Sequence, residues 1–445
     1  MINLGIPFQL VNPSAGGGGG GGGTPTIAAD MTINVPTDQA SINDALNYVR
    51  ARVVLNGAII TINVESALLP TINEQILFEN EDMRCVRITN DGPVNIDSTG
   101  FVAYITAFPI PVWYLAIMSS VGEVTGTWVQ SAGGPCAGFM SLQSVTATGI
   151  YNAADTFDIS GFFYTLIVFS GEHRGHNSTI TGSLLVSDGT VSFNGSGSLA
   201  CYIDLSGLTN FYVGDLVGGS VTLDSTDTRG VLIVHDGAVA SINADVSWTV
   251  NNPAIAHPFK AEGGGKIIFA NTLTMTFDVT GSWASGNIGV ATTGSFIQFG
   301  SATFVFPNLE PANGLFTAQD STITVIGCSS SVIGYVFSNV RSFNCLSGSN
   351  TWNANGSATL YLSTGGGNLS VSDTINIGAG NPALAGCDNG TMTFNTLNIT
   401  GVSTGLRYTV NGGGVIQSNG VGLLEFTGGD SQVAVVPTAA GLILA

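Results

Sequence analysis

Residues 257–278 read HPFKAEGGGKIIFANTLTMTFD. A short apolar run at Phe259 enters the glycine triplet Gly263–Gly265. An alternating strand follows at Lys266–Phe269, then a turn at Asn271 and a second alternating strand at Leu273–Phe277. The same plan returns in NIGVATTGSFIQFGSATFVFPN from Asn287, GLFTAQDSTITVIG from Gly314 and TLYLSTGGGNLSVSDTINIGA from Thr359. Further members begin near Val231, Tyr335, Leu384 and Leu406. Aligning Leu232, Phe259, Ile288, Leu315, Val336, Leu360, Leu384 and Leu406 gives steps of 27, 29, 27, 21, 24, 24 and 22 residues. Repeats of roughly 20–50 residues mark solenoids, whereas a propeller blade needs about 40–50. Alternation places Ile267/Phe269, Phe296/Phe299, Ile323/Val325 and Leu369/Val371 inward. Coils stacked about 4.8 Å apart then pair their backbones around an apolar axis. The pattern predicts an all-β chain, a right-handed parallel β-helix. The near absence of helical periodicity after residue 55 excludes a doubly wound sheet.

Toward the N-terminus, Ile42, Ala45, Leu46, Val49 and Val53 recur at three- and four-residue spacing, which predicts one amphipathic helix within residues 37–55. Thr37 or Asp38 is placed to cap it, and Asn56-Gly57 to end it. An open stack of β-layers exposes its first layer, so this helix reads as a lid. Strand patterns at Ile59–Val64, Ile76–Phe78 and Val86–Ile88 follow. Ahead of the helix, Gly16–Gly23 are eight consecutive glycines, which read as a tether behind a small apolar arm or, alternatively, as extended strands that pack closely between chains because no Cβ intervenes. The expected organisation is an arm and tether over 1–30, a capping helix and first coils over 31–95, and a β-rich region over 96–200. That region is either further coils or an inserted β-domain. The body spans 201–422, and an apolar C-terminal cap spans 423–445.

Composition agrees with a layered body. Of 445 residues, 61 are glycine and 44% are hydrophobic, while only 9% are charged against an average of about 25%. A compact core stops growing near about 250–300 residues, so a long chain of this kind favours repetition. The net charge of −19, with only 10 Lys+Arg, gives no footprint for nucleic acid and no basic run for an anionic membrane. The uncharged stretch Phe101–Val121 is long enough to span a bilayer, but Pro109 and Pro111 would break an isolated helix there. It reads as buried strands or a subunit interface. Met1–Val11 has no basic region of a signal peptide. Cys85, Cys136, Cys201, Cys328, Cys345 and Cys387 are scattered without C-x-x-C spacing, and read as single buried thiols of a protein assembled in a reducing cytosol.

The arm, the glycine run and then INVPTDQASINDALNYVRARVVLNGAIITINV at Ile33–Val64 resemble the opening of bacteriophage tail fibres and tailspikes, with Ala45, Leu46 and Tyr48 carrying the lid-helix pattern. The rungs GGGKIIF, TTGSFIQF and GGGNLSV look similar to phage β-helical fibres. The resemblance implies a homotrimer on the virion tail, assembled in the bacterial cytoplasm. Residues 1–23 would dock on tail or baseplate proteins, and the distal body would contact a host glycan or protein receptor.

Some tailspikes cleave glycans, which needs two carboxyl groups about 5–9.5 Å apart. Asp204 with Asp224 or Asp227, and Asp215 with Asp236, lie about one repeat apart, although turn capping also explains an Asp in such settings. Glu172-His173-Arg174-Gly175-His176-Asn177 is the densest polar cluster and reads as a solvated loop; His235 and His257 read as turn or rung residues. Trp113, Trp128, Trp248, Trp283 and Trp352 can stack on a sugar ring or fill the core. The glycine turns are followed by no helix and so are not phosphate loops. No catalytic, cofactor or metal set is assigned. The expectation is a receptor-binding fibre, with a polysaccharide depolymerase and a β-helical bacterial adhesin as the alternatives.

Overall fold

The computed structural model describes residues 24–74, 76, 83–97, 99, 121–132, 137–141, 157–160, 164–168, 171–176, 178–187, 189–194, 198–214, 220–223, 230–250, 257–278, 287–307, 314–332, 334–378, 382–401, 408–419 and 442–444. These form a parallel β-solenoid of about nine turns with one helix among the described residues. One long sheet has 16 strands. A second has 17 and takes two strands from each middle coil, as with Lys266–Phe269 and Leu273–Phe277. A four-stranded sheet, Met31–Val35, Ile60–Val64, Met83–Asn90 and Val121–Val124, lies at the N-terminal end. The described strands between residues 121 and 206 all pair in parallel, so they are further coils. Gly126–Ala132, Phe157–Ser160, Ser178–Ser187 and Ser198–Ser206 lead on to Leu232–Val234, while Gly171–His176 and Gly189–Asn194 belong to the second long sheet. The segments 1–23, 101–120 and 421–441 lie outside the described residues. At the C-terminal end Leu442–Leu444 pairs with Val415–Gln417 of its own chain.

The first long sheet places Leu232, Phe259, Gly289, Phe316, Phe337, Tyr361, Ala385 and Tyr408 in one column, with steps of 27, 30, 27, 21, 24, 24 and 23. The expected step from Phe259 to Ile288 is therefore one short, which leaves Ile288, Leu315, Val336, Leu360 and Leu384 each one residue before the true member, and the last member is Tyr408 rather than Leu406. Hydrophobicity favoured Ile288, but the partner of Phe259 is a glycine. Gly289 makes room for rings: a Cβ there would stand 3.1–3.3 Å from Phe299 and Phe316. Phe259, Phe299 and Phe316 pack in sequence along the axis at centroid distances of 5.5 and 5.3 Å. Phe296 corrects a second expectation. Three residues from Phe299, it cannot share that residue's face, and it is half-buried while Ile297 and Phe299 are buried.

Coils close at a recurring corner. Gly207, Asp236, Gly263, Thr293, Asp320, Arg341, Gly365, Asn389 and Gly412 are the equivalent residues of successive coils, and all have positive φ, from 48 to 64°. The left-handed turn recurs even where the residue is Thr, Asp or Arg. Backbone bonds such as Thr293 N–H to Gln319 O (3.2 Å) and Arg341 N–H to Thr364 O (3.1 Å) tie each corner to the next. Beside it, serine hydroxyls form a second ladder: Gly264 N–H donates to Ser295 Oγ, Ser295 N–H to Ser321 Oγ and Ser321 N–H to Ser342 Oγ.

The helix, α1, is Ile42–Arg50, shorter than expected. Its cap is Ser41, whose Oγ accepts from Asp44 N–H (3.0 Å). Asp38 instead accepts from Asn34 N–H, and the Thr37 hydroxyl bonds Glu65. The Glu74 carboxylate accepts from the N–H groups of Ile42 and Asn43, where the helix dipole favours negative charge. Ile42, Ala45, Leu46 and Val49 are buried against the first coils as the periodicity predicted, whereas Val53 is exposed in a short strand paired with Thr26–Ile27. Asn56-Gly57 turns the chain after that strand.

The packing at Gly289 makes a direct prediction. Gly289→Val should cost roughly 1–3 kcal/mol in denaturant unfolding by overpacking the Phe299–Phe316 contact. Adding Phe316→Leu should recover part of that loss; a neutral Gly289→Val would contradict the packing.

Candidate functional site

The sheet pairs Asp204 with Ile233 one coil on, and the chain turns immediately after Val234. His235 and Asp236 therefore arrive beside Asp204 at the coil corner. His235 Nε2 lies 2.9 Å from Asp204 Oδ1 and Nδ1 lies 2.8 Å from Asp236 Oδ2. The Tyr202 hydroxyl donates to the other Asp204 oxygen at 3.0 Å. The hydrogen bond to Asp204, helped by Asp236 and opposed by partial burial, raises the His235 pKa from 6.5 to about 9. At neutral pH the ring is an imidazolium donating from both nitrogens. It has no lone pair with which to take a proton, so as placed it is not a general base. The arrangement bolts two coils together.

The partners brought to Asp204 are His235 and, through it, Asp236, neither of which the sequence reading paired with Asp204. Asp215, Asp224, Asp227 and Asn177 lie outside the described residues. The signal available for His235 was its place directly after the apolar triplet Leu232–Val234, one coil above Asp204. Gly171–His176 is a strand paired with Gly189–Asn194 rather than a loop. Burial chiefly lowers the pKa of His257, whose Nδ1 accepts from Asn287 N–H at 3.4 Å. Trp128, Trp248 and Trp352 are buried and cannot stack on a ligand; Trp113 and Trp283 lie outside the described residues. Cys328 and Cys387 are buried thiols as expected, whereas Cys85 and Cys345 are only half-buried, and burial pushes Cys328 up to about 12.

A second ionisable cluster is inside the core. Asp373, 2% exposed, accepts from Asn350 Nδ2 (2.8 Å), Trp352 Nε1 (2.7 Å) and the Tyr361 hydroxyl (2.5 Å). Burial raises its pKa to about 6 against the opposing pull of those donors. Asn350 in turn accepts from Cys328 N–H, extending the network to a third coil. The three donors converge inside the coil, out of reach of a ligand. Among the described residues no group of three or more His, Cys, Asp or Glu could hold a metal ion, and no helix is long and apolar enough to cross a membrane.

Comparison with family models, with curated proteins and with solved structures finds no match in any of the three.

Two outcomes follow from these clusters. Folding raises the His235 pKa, so its stabilisation is complete below pH 6.5 and is lost as pH rises through about 9. His235→Gln should lower stability by about 0–1 kcal/mol at pH 6, and the gap from the unsubstituted protein should close by pH 10. A gap that widened over that range would contradict the assignment. Asp373→Ala should be more damaging, because each buried donor left without an acceptor costs about 1–3 kcal/mol. Unchanged thermal unfolding of Asp373→Ala would contradict the network.

Proposed function

We propose that the chain is the subunit of a trimeric virion attachment fibre, a phage tail fibre or tailspike that binds a bacterial surface receptor and leaves it intact. The observation that carries this reading is the parallel stack itself, which runs from Met31–Val35 through successive coils to Leu442–Leu444. Stacked coils give reach and stiffness, as an attachment shaft requires. The likeness of Ile33–Val64 to the opening of phage fibres supports the virion assignment. The two ionisable clusters support binding over cleavage, because Asp204, His235, Asp236 and Asp373 are engaged in joining coils.

Native mass spectrometry of the full chain should give three times the 45.5 kDa chain mass. Incubation with bacterial surface polysaccharides should show binding to at least one, with no new reducing ends. Release of reducing ends would establish the depolymerase reading instead, and a stable monomer would remove the fibre reading.

A further inference from the structure

One face of the second sheet carries a pattern that neither the core nor the coil junctions explain. Seven successive coils place on it the triplets SWT 247–249, TMT 274–276, TFV 303–305, SSS 329–331, TWN 351–353, TIN 374–376 and NIT 398–400. The middle residue of each is buried or packed against the core, and the outer two are exposed or half-exposed. The first and third residues therefore make two columns, one pair per coil. Thirteen of these fourteen positions are Ser, Thr or Asn. The exception, Val305, has the branched shape of threonine. None is charged, in a chain of net charge −19.

We propose that this face binds ice. An array of single hydroxyls and amides makes weak contacts, and a flexible ligand would lose its gain to ordering. Many weak contacts add up when geometry lets them engage together, which suits a partner that is rigid, uncharged and periodic. The columns repeat about every 4.8 Å between coils, and their members are about 6.7 Å apart along a strand. Ice oxygens hydrogen-bond tetrahedrally at about 2.75 Å, so like oxygens recur at about 4.5 Å in one direction and about 7.3 Å across it. The mismatch of about 0.3 Å per coil accumulates to about 1.8 Å over six steps, less than half a lattice repeat, and the mismatch of about 0.6 Å between the two columns occurs once and does not accumulate. β-Branched residues hold few rotamers, so their hydroxyls and methyls are fixed before contact. Inter-coil bonds from Ser329 to Thr303 and from Asn376 to Asn353 brace the columns further. Trp248, Phe304 and Trp352 back the sheet from inside. The inference rests on this face alone and is independent of the virion reading.

The test is nanolitre osmometry and ice-affinity partition of the full chain, with its Thr303→Lys and Gln298→Lys variants. Both substitutions are outward on strands of the same sheet, and circular dichroism checks the fold of each. The expected result is thermal hysteresis and enrichment in ice for the unsubstituted chain, abolished in Thr303→Lys and kept in Gln298→Lys. Absence of both from the folded unsubstituted chain overturns the proposal. Equal activity in the two variants also overturns it, as does binding of neutral polysaccharide to this face without any effect on ice.

Discussion

Each coil must return the chain to a point directly above its start, so that its peptide groups meet those of the next coil. The rest of the structure depends on that closure. A parallel ladder has no hairpin to fix its register, and a slip of one residue would turn every core side chain outward. The left-handed corner shared by Gly207 through Gly412 supplies the registration. It recurs even at Thr293 and Arg341, where such a backbone is strained, because their N–H groups, like those of Asp320, Gly365 and Asn389, reach a carbonyl of the following coil.

With register set, the interior becomes a packing problem along one axis. Rings from several coils stack, and Gly289 yields the volume that its neighbours require. The coil shortens toward the C-terminal end, and the corner there is filled by Cys328, Asn350 and Asp373 rather than by apolar groups. Three donors meet one carboxylate, which specifies a geometry that an apolar filling would leave open. At the surface, His235 does similar work between two coils, in a setting where water weakens it.

The fold was legible because three signals agreed: alternation within strands, small residues at turns, and spacing confined to the solenoid range. The helix was legible from Ile42, Ala45, Leu46 and Val49, but its cap was not, since Thr37, Asp38 and Ser41 are all competent and only the path after Pro36 chooses among them. Register failed at Phe259, where the inward partner is a glycine that no hydrophobicity scan selects. The Asp204–His235–Asp236 cluster was not legible: Asp204 was paired with Asp224 or Asp227 and His235 was read as a turn or rung residue, because the partner depends on register to a single residue. The hydroxyl columns were written in the sequence as triplets, yet they become an array only once seven coils are aligned.

Register is the central claim, and cross-linking reads it directly. Thr274 and Thr303 are partners on adjacent coils. Neighbouring parallel strands lie about 4.8 Å apart, within reach of a disulfide. Mild oxidation of a Thr274→Cys, Thr303→Cys chain, read by peptide mass spectrometry, should give the 274–303 disulfide in high yield. The account predicts that Thr274→Cys with Phe304→Cys, one residue out of step and on the opposite face, stays reduced at those positions. The reverse outcome would contradict the parallel stack on which everything else is built.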